Sequence, residues 1–557
     1  MALSAAARAA LEKFRTQQGE GALDGEDADM PQHTYTPSTY AASQTANAGT
    51  AHTGNATVAT PPAGASPAGT SVAERPGPKL EAHAEPVAAT RPATAPSMVN
   101  SNSSSRDTKI SYFTSGLMRP EQPKTFKESG ISYRVIESLI LKIIKQEGPR
   151  NEQQLSDFMK IGVNVFRDVL ISLNKRELLD TPMPLHYDLT NKGRELVTLM
   201  EREDGYVGPA PVAFSEYCEM VRQQSRREKR VTMDDVNEVF ANYPMRDQLR
   251  HTLKEGFNSQ RVMLFYGPPG NGKSLITDNL HRLLRNPVVL PYSFEFNGRV
   301  VQLYDPAYHK LREDLMRQEE EESSGNVSTS GKPDRRWMIS SPPLVTVGTE
   351  FKVSHFEIAF DGQYFAPPHV KANNGIFIFD DLGRQTEDHN MILNQFIYPL
   401  EQRESIVKFT GGSAMRAPFL QRLFLSTNLN HEEILDDAFK RRLLYQILVD
   451  RPTTPLWVDI FEREAIKNGV KPAFAKELSQ NLVRWYKEDE RIIRACDPRN
   501  LFVMVDATLQ EGQNAGDILT MDLFRRIYDM YPAAYKHEAK FYVGAMDCDP
   551  NSPDREE

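Results

Sequence analysis

Apolar residues recur at helical spacing from Ile131 onward. The stretch SYRVIESLILKIIKQEG places them every three or four residues and stops at Gly148, which predicts a helix ended by a glycine. NEQQLSDFMK and VNVFRDVLISLNKREL predict two more helices. LHYDLTNKGRELVTLM predicts a strand, a turn at residues 191–193 and a closing helix. Together these elements predict a small helical unit with a β-wing over residues 126–205.

A different pattern begins at about residue 232, where apolar strands alternate with helices, which is typical of an α/β layer fold. The runs at 262–266 and 376–379 are continuously apolar, as expected of strands buried on both faces of a parallel sheet. Residues 317–336 are acidic and then rich in Ser and Gly, which predicts an exposed loop. Residues 1–125 are rich in Ala, Thr, Pro and Ser and predict a disordered tail, acting as a tether or as a segment that folds on a partner.

Net charge, cysteine spacing and the length of apolar runs limit the functions that the sequence allows. The 557 residues carry a net charge of −9, so nucleic-acid binding would have to be local, for example through the basic run from Arg222 to Arg230 in the predicted linker 206–231. Cys218, Cys496 and Cys548 have neither metal-site nor disulfide spacing, which favours a reducing cytoplasm. No apolar run is long enough to span a membrane, and the start MALSAAARAALEKF suggests a short amphipathic helix instead of a signal peptide.

A phosphate-binding loop follows the apolar strand at 262–266. GPPGNGKS matches the pattern G-x-x-x-x-G-K-[ST] and leads directly into a helix. The glycines let backbone N–H groups surround phosphates, Lys273 is predicted to reach the β- and γ-phosphates, and Ser274 to hold Mg²⁺. The predicted ATP-binding residues are Gly267, Pro268, Pro269, Gly270, Asn271, Gly272, Lys273, Ser274 and Leu275.

Two aspartates end the apolar strand in GIFIFDDLGRQ. Ligands of parallel α/β sheets lie at the carboxyl ends of the strands, so both carboxylates are expected beside the phosphate loop. Asp380 is predicted to complete the Mg²⁺ shell with Ser274, and Asp381 to orient or deprotonate the attacking water.

These motifs resemble those of the AAA+ ATPases over roughly residues 232–535. QRLFLSTN is similar to the sensor 1 strand, which implies that Asn428 orients the lytic water. DDAFKRRLLYQILVDRP is similar to the arginine-finger segment, with Arg442 as the first choice and Arg441 as the alternative. DPRNL is similar to the sensor 2 motif, which implies that Arg499 lies over the γ-phosphate. The resemblance implies a nucleotide-binding α/β domain at 232–452, a helical lid at 453–540, a C-terminal tail at 541–557, and a ring, expected to be a hexamer.

Part of this region also resembles the MoxR-like and sigma-54-activator branches, which carry an extra β-hairpin before sensor 1, here at residues 404–419. Two features depart from the usual family pattern. Asp381 stands where the family usually has Glu, although helicase-loader and initiator relatives carry Asp-Asp. Lys273 and Asp380 are 107 residues apart, so an insertion lies between them. Its turn GQYF, at 362–365, is either a packed hairpin tip or a substrate-gripping pore loop.

The 126–205 unit resembles a winged-helix domain. Ten Lys/Arg against nine Asp/Glu between positions 131 and 200 give little charge for DNA phosphates, which favours protein docking over weak DNA contact. The leading hypothesis is a ring-forming ATPase that remodels a protein client. The alternative is a DNA-associated initiator or helicase loader that uses ATP as an assembly switch, and a third is a nucleotide-binding scaffold with little turnover.

Overall fold

The computed structural model describes residues 110–112, 117–325, 331–410, 412–509 and 514–532. All of them belong to one compact unit. The predicted N-terminal helix, most of the predicted disordered tail, the predicted tail 541–557 and Cys548 lie outside the described residues. Within the described ranges, every helix is too short or too polar to cross a bilayer.

The first part of the described chain, up to residue 203, is mostly helical. Its elements are β1 (Ile110–Tyr112), β2 (Met118–Pro120), α1 (Phe126–Ser129), α2 (Tyr133–Glu147), β3 (Arg150–Asn151), α3 (Glu152–Met159), α4 (Val163–Lys175), β4 (Leu179–Met183), β5 (His186–Leu189) and α5 (Asn191–Glu203). Strands β1 and β2 pair antiparallel, and an antiparallel sheet in the order β3-β5-β4 lies beside the helices. The apolar faces of α2 and α4 form the core of this unit.

Two boundaries in this unit test the sequence predictions. Helix α2 ends before Gly148, which has φ 77°, as predicted from the glycine. The predicted turn at residues 191–193 is wrong, because α5 begins at Asn191 and the Thr190 hydroxyl accepts the N–H of Gly193 as an N-cap. Gly193 serves close packing instead, since a Cβ there would lie 2.2 Å from the Leu178 carbonyl oxygen.

The middle of the chain mixes helices with short strands. Its elements are β6 (Val212–Ala213), α6 (Phe214–Arg226), α7 (Met233–Val239), α8 (Asp247–Ser259), β7 (Met263–Tyr266), α9 (Lys273–Leu280), β8 (Val288–Pro291), β9 (Ser293–Phe296), β10 (Arg299–Gln302), α10 (Glu313–Gly325), β11 (Trp337–Ser340), β12 (Leu344–Val347), β13 (Ala359–Phe360), β14 (Tyr364–Phe365) and α11 (Pro368–Lys371). The segment 206–231, predicted as a linker, thus contains a strand and a helix, and α6 buries Tyr217, Met220 and Val221.

The last part of the chain completes the sheet and adds a helical layer. Its elements are β15 (Ile376–Phe379), α12 (His389–Gln402), β16 (Glu404–Lys408), β17 (Ala414–Pro418), β18 (Arg422–Thr427), α13 (His431–Ile434), α14 (Asp437–Lys440), β19 (Tyr445–Leu448), α15 (Thr454–Lys467), α16 (Pro472–Glu488), α17 (Asp497–Asp506), α18 (Ala515–Ile518) and α19 (Met521–Met530). Helices α15 to α19 share one apolar cluster. Strands β16 and β17 pair antiparallel and form the hairpin predicted at residues 404–419.

Five parallel strands form the central sheet in the order β12-β15-β18-β7-β19. Alternate residues of β15, β18 and β7 enter two different apolar clusters, for example Phe377 and Phe379 on one face and Ile376 and Ile378 on the other. Both faces of these strands are therefore covered, which explains the continuous apolar runs of the sequence.

Four of the strands in a second five-stranded sheet, β13-β14-β10-β9-β6, come from the residues between α9 and β15. The prediction of an exposed loop over residues 317–336 is wrong at both ends. The acidic run continues α10 to Gly325, and Glu319 is buried against Arg119. Asp334 and Arg336 form a second buried ion pair. Acidic composition indicated exposure, but each of these charges has a partner that composition does not reveal.

Candidate phosphate site at the edge of the parallel sheet

The loop between β7 and α9 has the backbone geometry of a phosphate cradle. Gly267, Gly270 and Gly272 have φ angles of 133°, 81° and 95°, in the region that favours glycine. A Cβ at Gly267 would lie 2.6 Å from the Val449 carbonyl oxygen. Larger residues would therefore strain the loop or displace its neighbours.

Lys273 lies over this loop. Its Nζ donates to the carbonyl oxygens of Gly267, at 2.8 Å, and Pro268, at 2.9 Å. Burial lowers the pKa of Lys273 to about 8, while Asp380 and Asp381 oppose that shift. A phosphate anion would act in the same direction as the two carboxylates and favour the charged ammonium.

The two aspartates lie where β15 ends, as expected. The Ser274 hydroxyl donates to Asp380 Oδ2 at 3.3 Å, so both predicted Mg²⁺ ligands stand together. Asp381 adopts a left-handed backbone with φ 51°, and its N–H donates to Asp380 Oδ1 at 3.0 Å. Such a conformation is uncommon for a residue other than glycine and is often held at functional sites.

Asn428 follows β18, the strand between β15 and β7. Its Nδ2 donates to Asp381 Oδ1 at 2.9 Å. Three neighbouring strands thus bring the predicted lysine, both aspartates and the asparagine to one edge of the sheet.

A cavity of about 1130 Å³ adjoins the loop. Gly270, Asn271, Leu275 and Arg499 contribute to its wall, together with apolar residues of several elements, among them Tyr243, Met245, Leu249, Ile447 and Leu456. Arg499 is exposed. Asn271 is buried, and its Nδ2 donates to no acceptor in the described residues. An apolar wall with a few polar groups is the usual lining of a small-molecule site.

The segment before α17 contacts the loop through its backbone, which sequence reasoning missed. The N–H of Cys496 donates to the Gly270 carbonyl at 2.9 Å, and that of Ala495 to Asn271 Oδ1 at 3.3 Å. A Cβ on Gly270 would lie 2.7 Å from Cys496 Sγ. Arg494 Nε donates to Asp497 Oδ1 at 3.0 Å. Burial raises the pKa of Asp497, and the nearby Arg494 opposes this shift. The helical layer is thereby joined directly to the loop.

The candidate finger arginines are not part of this cluster. Arg442 pairs with Glu401 of α12 and donates to the Ala438 carbonyl. Arg441 is exposed, and its side chain makes no hydrogen bond within the described ranges.

The residues present fit ATP and Mg²⁺. The loop supplies a backbone that only glycine tolerates well. Among the described residues, the buried Asn271 Nδ2 has no acceptor, and Lys273 Nζ bonds only to carbonyl groups of the loop itself. Ser274 and Asp380 are oxygen ligands of the kind Mg²⁺ prefers in nucleotide sites.

No family model and no curated protein matches this sequence. Solved structures give low-scoring superpositions. NtrX from Brucella abortus is 15% identical, with 60% of this chain and 63% of that chain covered, and a TM-score of 0.27. The same protein in complex with ADP is 14% identical, with 66% and 73% covered and a TM-score of 0.25. The Thermotoga maritima RuvB Holliday junction branch migration motor is 10% identical, with 52% and 70% covered and a TM-score of 0.28.

The chain thus spans less than two thirds of the first of these structures, and TM-scores this low support no inference about fold or activity. The class is defined by the geometry of the chain itself. It is a mixed α/β protein with a parallel sheet and a glycine-rich loop between β7 and α9, an arrangement consistent with the AAA+ fold.

Proposed function

We propose that this protein binds and hydrolyses ATP as a member of the AAA+ class. One observation carries the proposal: Ser274 bonds to Asp380, and Asn428 bonds to Asp381, at the carboxyl edge of three adjacent parallel strands. A fortuitous glycine-rich turn would not be accompanied by a carboxylate pair and an asparagine at the same edge.

Each residue has a distinct role in this proposal. The loop N–H groups and Lys273 hold the phosphates, and Ser274 and Asp380 would hold Mg²⁺, whose charge offsets that of the phosphate oxygens. Asp381 orients the attacking water and accepts its proton. Asn428 fixes the Asp381 carboxylate through the 2.9 Å hydrogen bond. Asp is one methylene shorter than Glu, so hydrolysis is expected to be slow but present.

Two arginines complete the proposed site. Arg499, which lines the cavity beside the loop, is proposed to contact the nucleotide from the helical layer. Arg442, or Arg441 in its place, is proposed to act on the site of a neighbouring subunit in a ring. A finger supplied in this way is worth about 10³-fold or more in rate, so turnover per subunit is expected to rise with protein concentration as rings assemble.

The phosphate site is tested by Lys273→Ala in a titration with labelled ATP. We expect the variant to lose tight binding while circular dichroism shows an intact fold, because the substitution removes the charge that faces the phosphates. Lys476→Ala, which changes an exposed lysine of α16, is the matched control and should bind like the unchanged protein. Equal affinity of folded Lys273→Ala and the control would refute the assignment.

We further propose that residues 126–205 are a winged-helix domain that docks a protein client. The exposed arginines of α4 and its end are already engaged, Arg167 with Glu152 and Arg176 with Glu137. The tip between β4 and β5 is apolar, with Met183 52% and Leu185 74% exposed. Neutralised arginines and an apolar tip suit a protein surface better than DNA phosphates.

A mobility-shift titration of the full-length protein with duplex DNA at physiological salt tests this choice. We expect weak binding without sequence preference, because few cations near α4 are free to neutralise phosphates. Nanomolar binding with clear sequence preference would instead favour the initiator or helicase-loader function.

A further inference from the structure

A second cavity, of about 560 Å³, lies apart from the phosphate site. Its wall is formed by α2, the end of α5, the turn between β9 and β10, and the hairpin of β13 and β14. The segment after α5 contacts the β13–β14 hairpin directly, because the N–H of Gly205 donates to the Gly362 carbonyl at 2.7 Å. The volume falls in the range of sites for small molecules.

A buried lysine lines this cavity. Lys142 is 2% exposed, and its Nζ donates to the Asp204 carbonyl oxygen at 2.8 Å. This is its one hydrogen bond within the described residues, whereas an ammonium group has three donors. Burial lowers the pKa of Lys142, while the nearby carboxylates of Asp204 and Glu201 raise it. Two donors of a buried cation are therefore available to a ligand in the cavity.

Two arginines extend the basic wall. Arg202 is exposed and forms neither an ion pair nor a side-chain hydrogen bond in the part of the chain that the structure describes. Arg299 lies 5.4 Å from the centre of the Tyr364 ring and 5.1 Å from that of Phe409, and donates to Ser413 Oγ at 3.2 Å. Stacking on two rings fixes its guanidinium group, so little entropy is lost when it binds an anion.

The acidic groups of the wall are already engaged. Asp204 accepts the N–H of Tyr206 at 2.9 Å and that of Val300 at 3.1 Å. Glu203 pairs with Arg134. Four basic residues (Arg134, Lys142, Arg202 and Arg299) and two acids (Glu203 and Asp204) line the cavity, an excess of two positive charges, and the nearby Glu201 is paired with Lys145.

We propose that this cavity binds a small phosphate-bearing anion. Lys142 is the buried contact, and Arg202 and Arg299 are the contacts nearer the mouth. Charge-assisted hydrogen bonds of this kind are the strong ones in proteins, and arginine suits the geometry of a phosphate group. The site is distinct from the ATP site, since no residue lines both cavities.

Pyrophosphate is a suitable probe, titrated calorimetrically into the full-length protein carrying Lys273→Ala, which weakens competing binding at the phosphate loop. We expect saturable binding that Arg202→Gln and Arg299→Gln each weaken about tenfold. Arg194→Gln is the matched control on α5, because Arg194 pairs with Asp188 and lies outside the cavity wall, and it should leave the affinity unchanged.

Lys142→Met should abolish pyrophosphate binding. If this substitution of a buried residue prevents folding, Arg202→Gln and Arg299→Gln test the proposal instead. Absence of saturable pyrophosphate binding would overturn the proposal. Equal affinity in Arg202→Gln, Arg299→Gln and Arg194→Gln would overturn it as well.

Discussion

Two regions that withdraw charged groups from solvent treat them differently: the edge of the parallel sheet, and the segment just before β11 in the insertion between α9 and β15. In the insertion, Arg336 and Asp334 are almost fully buried and pair at 2.7 Å. Arg336 also donates to the carbonyls of Ser129 and Pro211. At the sheet edge, Asp380 and Asp381 are only partly buried, and the Lys273 ammonium hydrogen-bonds, among the described residues, only to carbonyl groups of its own loop.

The difference distinguishes charged groups that stabilise the fold from charged groups that are able to bind a ligand. A buried pair with all its partners in place makes removal of either member costly. A partly buried group with replaceable contacts can exchange them for a ligand. Substitutions in the insertion should therefore change stability, and substitutions at the sheet edge should change activity. The predictions below run from the largest expected change in unfolding free energy to the smallest.

Arg336→Met should destabilise the protein by about 3–5 kcal/mol, because it leaves the Asp334 carboxylate buried without its partner. The neighbouring Arg335→Met is the matched control, since Arg335 forms an exposed pair with Asp157 and should cost at most about 1 kcal/mol. Urea denaturation of both variants measures the difference. Equal stabilities would contradict a structural role for the buried pair.

Truncation tests the same region from the other end of the chain. Arg119 of β2 is buried, pairs with Glu319 and donates to the Trp337 carbonyl at 2.6 Å. Removing residues 1–125 should therefore cost about 3 kcal/mol or more, because Glu319 loses its partner. Removing only residues 1–116 keeps Arg119 and should cost less than about 1 kcal/mol. Urea denaturation measures the unfolding free energy of both truncated proteins. Equal values would show that β2 is not needed for stability.

Asn428→Ala should change stability by only about 1 kcal/mol, the usual contribution of one hydrogen bond. Its effect should fall on ATP turnover, because Asp381 loses the donor that holds it. Denaturation and turnover assays on the same preparation measure both. A large loss of stability with unchanged turnover per folded molecule would place Asn428 with the structural groups of the insertion.

The sequence predicted that the glycine loop and the two aspartates meet at one edge of the sheet, because the signals are local. Strand, glycine loop and helix are contiguous from 262 to 280, and Asp380 and Asp381 directly follow the apolar strand β15. The burial of alternate residues on two faces of the sheet likewise follows from the continuous apolar runs. The chemical roles of these residues and the winged-helix assignment of 126–205 stay predictions.

The insertion was not predictable in the same way, because its contacts join distant parts of the chain. Arg119 and Glu319 are separated by 200 residues, and nothing in the acidic run marks Glu319 as the buried member. Strands of two to four residues show too little alternation to be recognised. The contact of Cys496 with Gly270 uses backbone groups, which no motif encodes.

The central claim is that Asp381 serves hydrolysis at a site that binds ATP, and Asp381→Asn tests it most directly. The amide keeps the shape of the side chain but cannot accept a proton as the carboxylate does. ATP affinity and ATP turnover should be measured on the same preparation, with Asp361→Asn, an exposed position in the second sheet, as the control. We predict that Asp381→Asn binds ATP like the control but hydrolyses it at least about 10²-fold more slowly. Turnover equal to that of the control, with ATP bound, would contradict the account.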